Sequence, residues 1–145
     1  MRDPSERFIS HYNMLQRFHN EGRKGYDIGD LESFINKEIT AYNSGQKTRI
    51  LSQGMYMNEL PKWKKSFGDN LKLYKTSDFS APTANETMND ICDYLGIQAH
   101  DFNPILKVKY NSTGKPIERS SAYAKLQEFY APQVAALREQ YGINL

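Results

Sequence analysis

The sequence is poor in several features that usually identify the class of a protein. A single cysteine, Cys92, excludes an internal disulfide and any cysteine-cluster metal site. The formal net charge is only +2, from 19 basic and 17 acidic residues, so no global field favours nucleic acid or a membrane surface as a partner. No apolar run approaches the roughly 20 residues of a membrane span, so the chain as given is expected to be soluble. Any recognition of an anion must therefore be local.

Histidine is also scarce, and its spacing does not favour metal binding. His11 and His19 lie eight residues apart and His100 is remote, so the His-x-x-x-His spacing of a helical metal site does not occur. No Gly-x-Ser-x-Gly turn supports a serine triad. The residues alone thus identify no metal site and no catalytic residue. The length of 145 residues predicts one domain.

The chain does contain helical periodicity with clear helix ends. Apolar residues spaced by three and four predict helices at about residues 4–20, 31–43, 83–95 and 120–141, with a further helix beginning near Pro61. Asp3 and Asp30 are the expected N-caps. Alternating polarity predicts a strand at Leu71–Lys75, and residues 105–110 are a second candidate strand. The inner face of the predicted helix at residues 83–95 is expected to comprise Met88, Ile91, Cys92 and Leu95.

The first twelve residues carry the strongest functional signal. Asp3 suits an N-cap, Pro4 the first helical position, and Glu6 the return position of a capping box. Arg2 lies just ahead of this helix start, and Ser10 follows Asp3 by seven residues, so its hydroxyl lies on the face of the cap. A guanidinium fork, a hydroxyl and a helix dipole together suit a phosphate.

The pattern Arg-Asp-Pro-x-x-Arg-x-x-Ser-x-Tyr of residues 2–12 resembles the motif of sulfotransferases that use 3'-phosphoadenosine 5'-phosphosulfate (PAPS). In that family the arginine and serine hold the 3'-phosphate of the donor, which implies Arg2 and Ser10 as ligands. Similar stretches follow in family order at residues 54–67, at the predicted strand and at the helix that ends in Tyr-Leu-Gly. One departure is Ser77, which stands where the family has glutamate before Asp-Phe.

The resemblance implies the α/β, P-loop-like sulfotransferase fold, and residues 1–145 would be a single partial domain from its C-terminal part. This part is expected to be mostly α-helical, with one or two short strands. In the family the loop that holds the 5'-phosphosulfate and the catalytic Glu or His precede the Arg-Asp-Pro motif. The base is therefore expected outside this chain, and a second chain is a candidate source of the missing half. Gly114 and Lys115 match the family's loop over the 3'-phosphate; a solvated turn is the alternative.

The function implied is the transfer of a sulfuryl group from PAPS to a hydroxyl or amine acceptor, and the pattern is closest to the carbohydrate-modifying branch. Arg2, Ser10 and Lys115 would orient the donor without moving a proton, and no metal is required. The compartment stays open between the cytoplasm and the Golgi lumen. Two other interpretations also stay open: an inactive truncated or split module, and a helical protein-interaction domain.

Overall fold

The computed structural model describes residues 1–106 and 120–145. These residues form helices, short 3-10 turns and irregular segments, with no strand among them, so the predicted helical character of the chain is confirmed. The α-helices in the described ranges are α1 (Pro4–Asn20), α2 (Leu31–Asn43), α3 (Leu60–Phe67), α4 (Ala84–Leu95), the single turn α5 (Asn103–Leu106) and α6 (Ser121–Tyr141).

The chain divides into two compact units, each of which is described by itself. Among the described residues, the larger unit comprises Asp3–Leu71 and residues 120–145, and the smaller unit comprises Met1–Arg2 and residues 72–106. The larger unit therefore contains α1, α2, α3 and α6, and the smaller unit contains α4 and α5.

The core of the larger unit lies between α1, α2, α6 and a 3-10 turn at Leu51–Gly54. The helices contribute the apolar stripes that their sequence spacing predicts, because residues three and four apart share one helix face. Phe34 of α2 packs its ring against two aromatic rings of α1, with centroid distances of 5.8 Å and 5.7 Å. The buried core residues are Phe8, Ile9, Tyr12, Leu15, Phe34, Ile35, Ile50, Leu51, Met55, Ala122, Tyr123, Leu126 and Tyr130.

The predicted helix ends of the larger unit are confirmed. Asp30 caps α2 by accepting a hydrogen bond from the backbone N–H of Ser33 at 2.9 Å. Gly142 ends α6 with φ +66, a left-handed conformation that glycine adopts without steric cost. Pro132 lies inside α6, which nevertheless continues to Tyr141.

Helix α3 begins beside Pro61, as predicted, because proline is tolerated in a first turn where its missing N–H would have no helical partner. Leu60 is buried, but the side chains of Trp63 and Phe67 are 55% and 54% exposed. Their ring centroids lie 6.1 Å apart, so the two rings form a pair on the surface of the larger unit.

The smaller unit is built around α4. Two asparagines of this helix hold the chain that follows it: Asn85 accepts from the N–H of Phe102 at 2.8 Å, and Asn89 accepts from the N–H of His100 at 2.9 Å. Cys92 is buried, as predicted. The prediction for Leu95 is wrong, since it is 60% exposed at the last position of α4, where no described residue of this unit covers it.

The predicted strand at Leu71–Lys75 is also wrong. A strand needs a neighbour along several residues. Among the described residues, the backbone of this segment pairs across the chain only with Met1, whose amino group donates to the Tyr74 carbonyl and whose carbonyl accepts from the N–H of Thr76. The N–H of Lys75 instead donates to the Asp78 carboxylate at 2.8 Å. Of the second candidate strand, residues 105 and 106 lie in α5 and residues 107–110 lie outside the described residues.

Candidate functional site

The predicted start of α1, with its aspartate cap and its proline, is confirmed. The Asp3 carboxylate accepts from the backbone N–H of Glu6 at 2.9 Å, and Pro4 occupies the first helical position. The side chain of Asp3 therefore satisfies one of the amides that a helix start leaves without a helical partner. Acidic Glu6 in this turn complements the positive end of the helix dipole.

The predicted phosphate ligands are only partly described. Ser10 lies in α1 within the larger unit, where it is half-buried and where its hydroxyl makes no hydrogen bond to a described residue. Arg2 is also half-buried and belongs to the smaller unit. Gly114 and Lys115 lie outside the described residues. The joint action of these four residues on one phosphate stays a prediction.

A group of basic side chains lies on α1 beyond its first turn. Arg7 and His11 are four residues apart, which places them on successive turns of one helix face with about 6 Å between their Cβ atoms. Both are half-buried. An Nη atom of Arg7 donates to Oε1 of Gln53, in the 3-10 turn that packs against α1. This contact fixes the guanidinium of Arg7 beside the turn.

Arg49 joins this group from the segment before the 3-10 turn. Its guanidinium lies over the ring of Tyr26, 5.3 Å from the centroid, and Nη2 donates to the carbonyl of Gly25 at 3.1 Å. Its carbonyl accepts from Nε2 of Gln53 at 3.3 Å. The side chain of Gln53 therefore contacts both the guanidinium of Arg7 and the backbone of Arg49. We call Arg7, His11 and Arg49 the α1 basic cluster.

The electrostatics of His11 reflect these neighbours. Partial burial of the ring is the main cause that lowers the pKa of His11, and the guanidinium groups of Arg7 and Arg49 lower it further. The carboxylate of Glu38 opposes them. The imidazole of His11 therefore loses its proton at a lower pH than an unperturbed histidine.

Glu38 is a buried carboxylate that holds the segment before the 3-10 turn. One oxygen accepts from the N–H of Arg49 at 2.8 Å, and the other accepts from the N–H groups of Ile50 and Leu51 at 2.8 Å and 2.9 Å. Its side chain is 5% exposed. Three amide donors replace the water that the carboxylate loses, which makes burial of this charge tolerable.

Tyr130 of α6 fixes the same turn from the other side. Its hydroxyl donates to the carbonyl of Leu51 at 2.7 Å, and burial raises the pKa of this tyrosine. Gly54 packs so closely that a Cβ atom would lie 2.9 Å from the tyrosine ring. The turn therefore requires glycine for close approach.

The other histidines and the cysteine of the described ranges lie apart from one another. Among the described residues, no three His, Cys, Asp or Glu side chains are grouped so that they could hold a metal ion. His19 is exposed near the end of α1, and the ring of His100 packs against Phe102 with centroids 5.2 Å apart. Cys92 is a free, buried thiol.

Sequence reasoning missed the roles of Glu38 and Arg49. The partners of the Glu38 carboxylate and of the Arg49 guanidinium lie 11 to 24 residues away, so no local spacing signals them. For the arginine of α1 a signal did exist: Arg7 is part of the motif pattern and precedes His11 by one helical turn.

Comparisons of the chain with models of known protein families, with curated proteins and with solved structures found no match. None of the helices in the described ranges combines the length and the apolar character needed to cross a membrane. The chemistry that the described residues can perform is therefore argued from their own geometry. They offer guanidinium groups, a hydroxyl and a helix start, which suit the binding of an anion.

Proposed function

We propose that this chain is part of a PAPS-dependent sulfotransferase and that it carries residues that bind the 3'-phosphate of the donor. Arg2 and Ser10 are the proposed ligands, with Gly114 and Lys115 as further candidates. The whole enzyme would have the α/β, P-loop-like fold and would transfer a sulfuryl group to a hydroxyl or amine. A carbohydrate is the proposed class of acceptor. Its base and its 5'-phosphosulfate loop would lie outside this sequence.

One observation carries this proposal: the motif pattern coincides with a capped helix start. The aspartate and proline between the two proposed ligands have a structural role of their own, since Asp3 caps α1 and Pro4 opens it. The serine lies two turns further along α1, with a hydroxyl that makes no hydrogen bond to a described residue. A hydroxyl in this state is available to donate to a phosphate oxygen.

In this function the residues would bind and orient the donor. The Arg2 guanidinium would supply charge and a fork of donors, and Ser10 would supply one hydroxyl donor. Fixing the 3'-phosphate places the distant sulfuryl group relative to the acceptor, which lowers the entropic part of the barrier. Neither residue would take a proton from the acceptor.

The test is a calorimetric titration of the chain with adenosine 3',5'-bisphosphate, with adenosine 5'-monophosphate as the ligand that lacks the 3'-phosphate. We expect binding of the bisphosphate only, weakened by Arg2→Ala or Ser10→Ala by about 1.5–3 kcal/mol, the range for hydrogen bonds to a charged group. Ser33→Ala, at an exposed serine of α2, is the matched control. Equal binding of both nucleotides, or no binding by the folded chain, contradicts the proposal.

A helical protein-interaction module is the second candidate. The observation that favours it is the exposed ring pair of Trp63 and Phe67, since large apolar side chains on a surface are typical of binding sites for other proteins. A folded chain that binds no nucleotide but associates with itself or with another protein, and loses this association in Trp63→Ala, would support this candidate instead.

A further inference from the structure

The α1 basic cluster carries more positive charge than the described residues neutralise. The guanidinium groups of Arg7 and Arg49 donate to neutral oxygens, those of Gln53 and Gly25, and form no ion pair with a carboxylate of a described residue. Glu38 is the one carboxylate that acts on His11, and both of its oxygens are already occupied by backbone N–H groups. The two arginines and the titratable histidine are thus balanced by a single carboxylate, and its oxygens already accept backbone hydrogen bonds.

We propose that the α1 basic cluster is a binding site for a tetrahedral dianion, a sulfate or phosphate group. Arg7 and Arg49 supply guanidinium donors, whose fork geometry matches the oxygens of such a group. His11 lies one helical turn after Arg7 and supplies an imidazolium donor. Half-burial of Arg7 and His11 reduces screening by solvent and salt, so these charges act more strongly than they would on an open surface.

The position of the cations is built into the fold. Gln53 holds Arg7 through Oε1 and contacts the carbonyl of Arg49 through Nε2. The N–H of Arg49 is fixed by Glu38, and its guanidinium is fixed over Tyr26. Anchored donors lose less conformational entropy on binding than free side chains, so this arrangement favours a specific site over diffuse attraction.

This site does not depend on the proposed ligands of the 3'-phosphate. It uses none of Arg2, Gly114 and Lys115, and Arg49 lies far outside the motif in the sequence. The two proposals are separated by their variants: binding at the 3'-phosphate site responds to Arg2→Ala, and binding at the α1 basic cluster responds to Arg49→Gln. A cluster that binds no dianion would leave the donor-binding proposal standing.

The first experiment uses the unaltered chain and its own histidines. Imidazole resonances of His11 and His19 are followed by NMR during titration with sodium sulfate, and sodium chloride at matched ionic strength is the control. Sulfate keeps its double charge from about pH 5 to pH 8, the range in which histidine titrates. We expect His11 to shift to saturation and its pKa to rise, while His19, exposed on the same helix, follows the chloride control. Equal responses of the two histidines would overturn the proposal.

The pH dependence has a defined sign. A bound dianion favours imidazolium, so by linkage protonation of His11 must strengthen sulfate binding. Three charged groups already act on this ring: Arg7 and Arg49 lower its pKa, and Glu38 raises it. A bound dianion adds to the effect of Glu38. Affinity for sulfate is therefore expected to fall as the pH rises through the pKa of His11 in the complex. An affinity that does not change with pH contradicts the role of His11.

Variants then test the donors. Arg49→Gln and Arg7→Gln are each expected to weaken sulfate binding about tenfold or more, the effect of losing one charge-assisted hydrogen bond. The matched control is Arg23→Gln, which removes the same charge and the same kind of contact, a guanidinium over an aromatic ring, elsewhere in the larger unit. Equal weakening by Arg49→Gln and Arg23→Gln, with folding verified by circular dichroism, would show a general charge effect and overturn the site.

Three sugars distinguish a free anion from an ester. Glucose 6-sulfate and glucose 6-phosphate carry the tetrahedral group on a small molecule, and glucose lacks it. If the esters bind and Arg49→Gln weakens this binding, the site exists and accepts an esterified ligand. Binding of inorganic sulfate alone supports it with a free anion. Equal responses of His11 to the esters and to glucose would contradict recognition of the anion.

Discussion

Glu38 is the single buried carboxylate among the described residues that ties three consecutive backbone amides to a helix. Glu38→Gln keeps the size of the side chain but replaces one acceptor oxygen with a donor that faces an N–H group. We expect the free energy of unfolding to fall by about 2–3 kcal/mol, because hydrogen bonds to a charged group are lost and a buried donor is left unsatisfied. Urea unfolding followed by circular dichroism measures this change.

The matched control is Glu128→Gln, which removes the same charge at an exposed position of α6. It should change the free energy of unfolding by no more than about 0.5 kcal/mol, as surface substitutions usually do. Similar losses in both variants would mean that net charge, rather than the three amide contacts, accounts for the role of Glu38.

The ends of α1 and α2 show how far helix signals in the sequence determine local structure. Asp3→Ala removes the oxygen that accepts from the N–H of Glu6 and should cost about 1 kcal/mol of stability, the usual effect of losing an N-cap. Asp3→Asn and Asp3→Ser keep an acceptor and should cost only a few tenths of that amount. Urea unfolding distinguishes these variants: their midpoint concentrations should differ, while the dependence of the unfolding free energy on urea stays the same.

This comparison also bears on the motif at the start of α1. If the aspartate acts as a cap, its asparagine variant should keep both stability and any binding of adenosine 3',5'-bisphosphate. A loss in Asp3→Asn as large as in Asp3→Ala would instead show that the negative charge itself matters. The equivalent change in α2, Asp30→Ala, is the reference for a cap outside the motif.

The four long helices α1, α2, α4 and α6 were predictable because their signals are local. Caps, glycine terminators and apolar spacing all lie within one element, and the predicted ends of α1, α2, α4 and α6 agree with the structure to within about one or two residues. The strand at Leu71–Lys75 was not predictable in the same way, because alternation indicates a strand only where a neighbouring segment supplies the hydrogen bonds. The same holds for Glu38, whose partners follow it by 11 to 13 residues, and for the cluster that Arg49 completes.

Apolar burial is distributed unequally over the chain. Ala84 and Cys92 are the buried hydrophobic residues described in the smaller unit, whereas the larger unit holds the aromatic and aliphatic core. Five large hydrophobic side chains of the smaller unit are exposed, namely Phe79, Tyr94, Leu95, Ile97 and Ile105. Since burial of apolar surface is the main favourable term in folding, the smaller unit should have the lower local stability.

Cys92 offers a direct measurement of this difference, because it is the only cysteine and is 3% exposed. A thiol reagent should reach it through local opening of α4, at a rate that depends less on urea than global unfolding does, because a local opening exposes less surface. The control is the variant with Cys92→Ala and Ala122→Cys, which places the thiol at a buried position of α6. There the reagent should report global unfolding and react more slowly in the absence of urea. Equal protection and equal urea dependence at the two positions would instead show that both units unfold in one cooperative step.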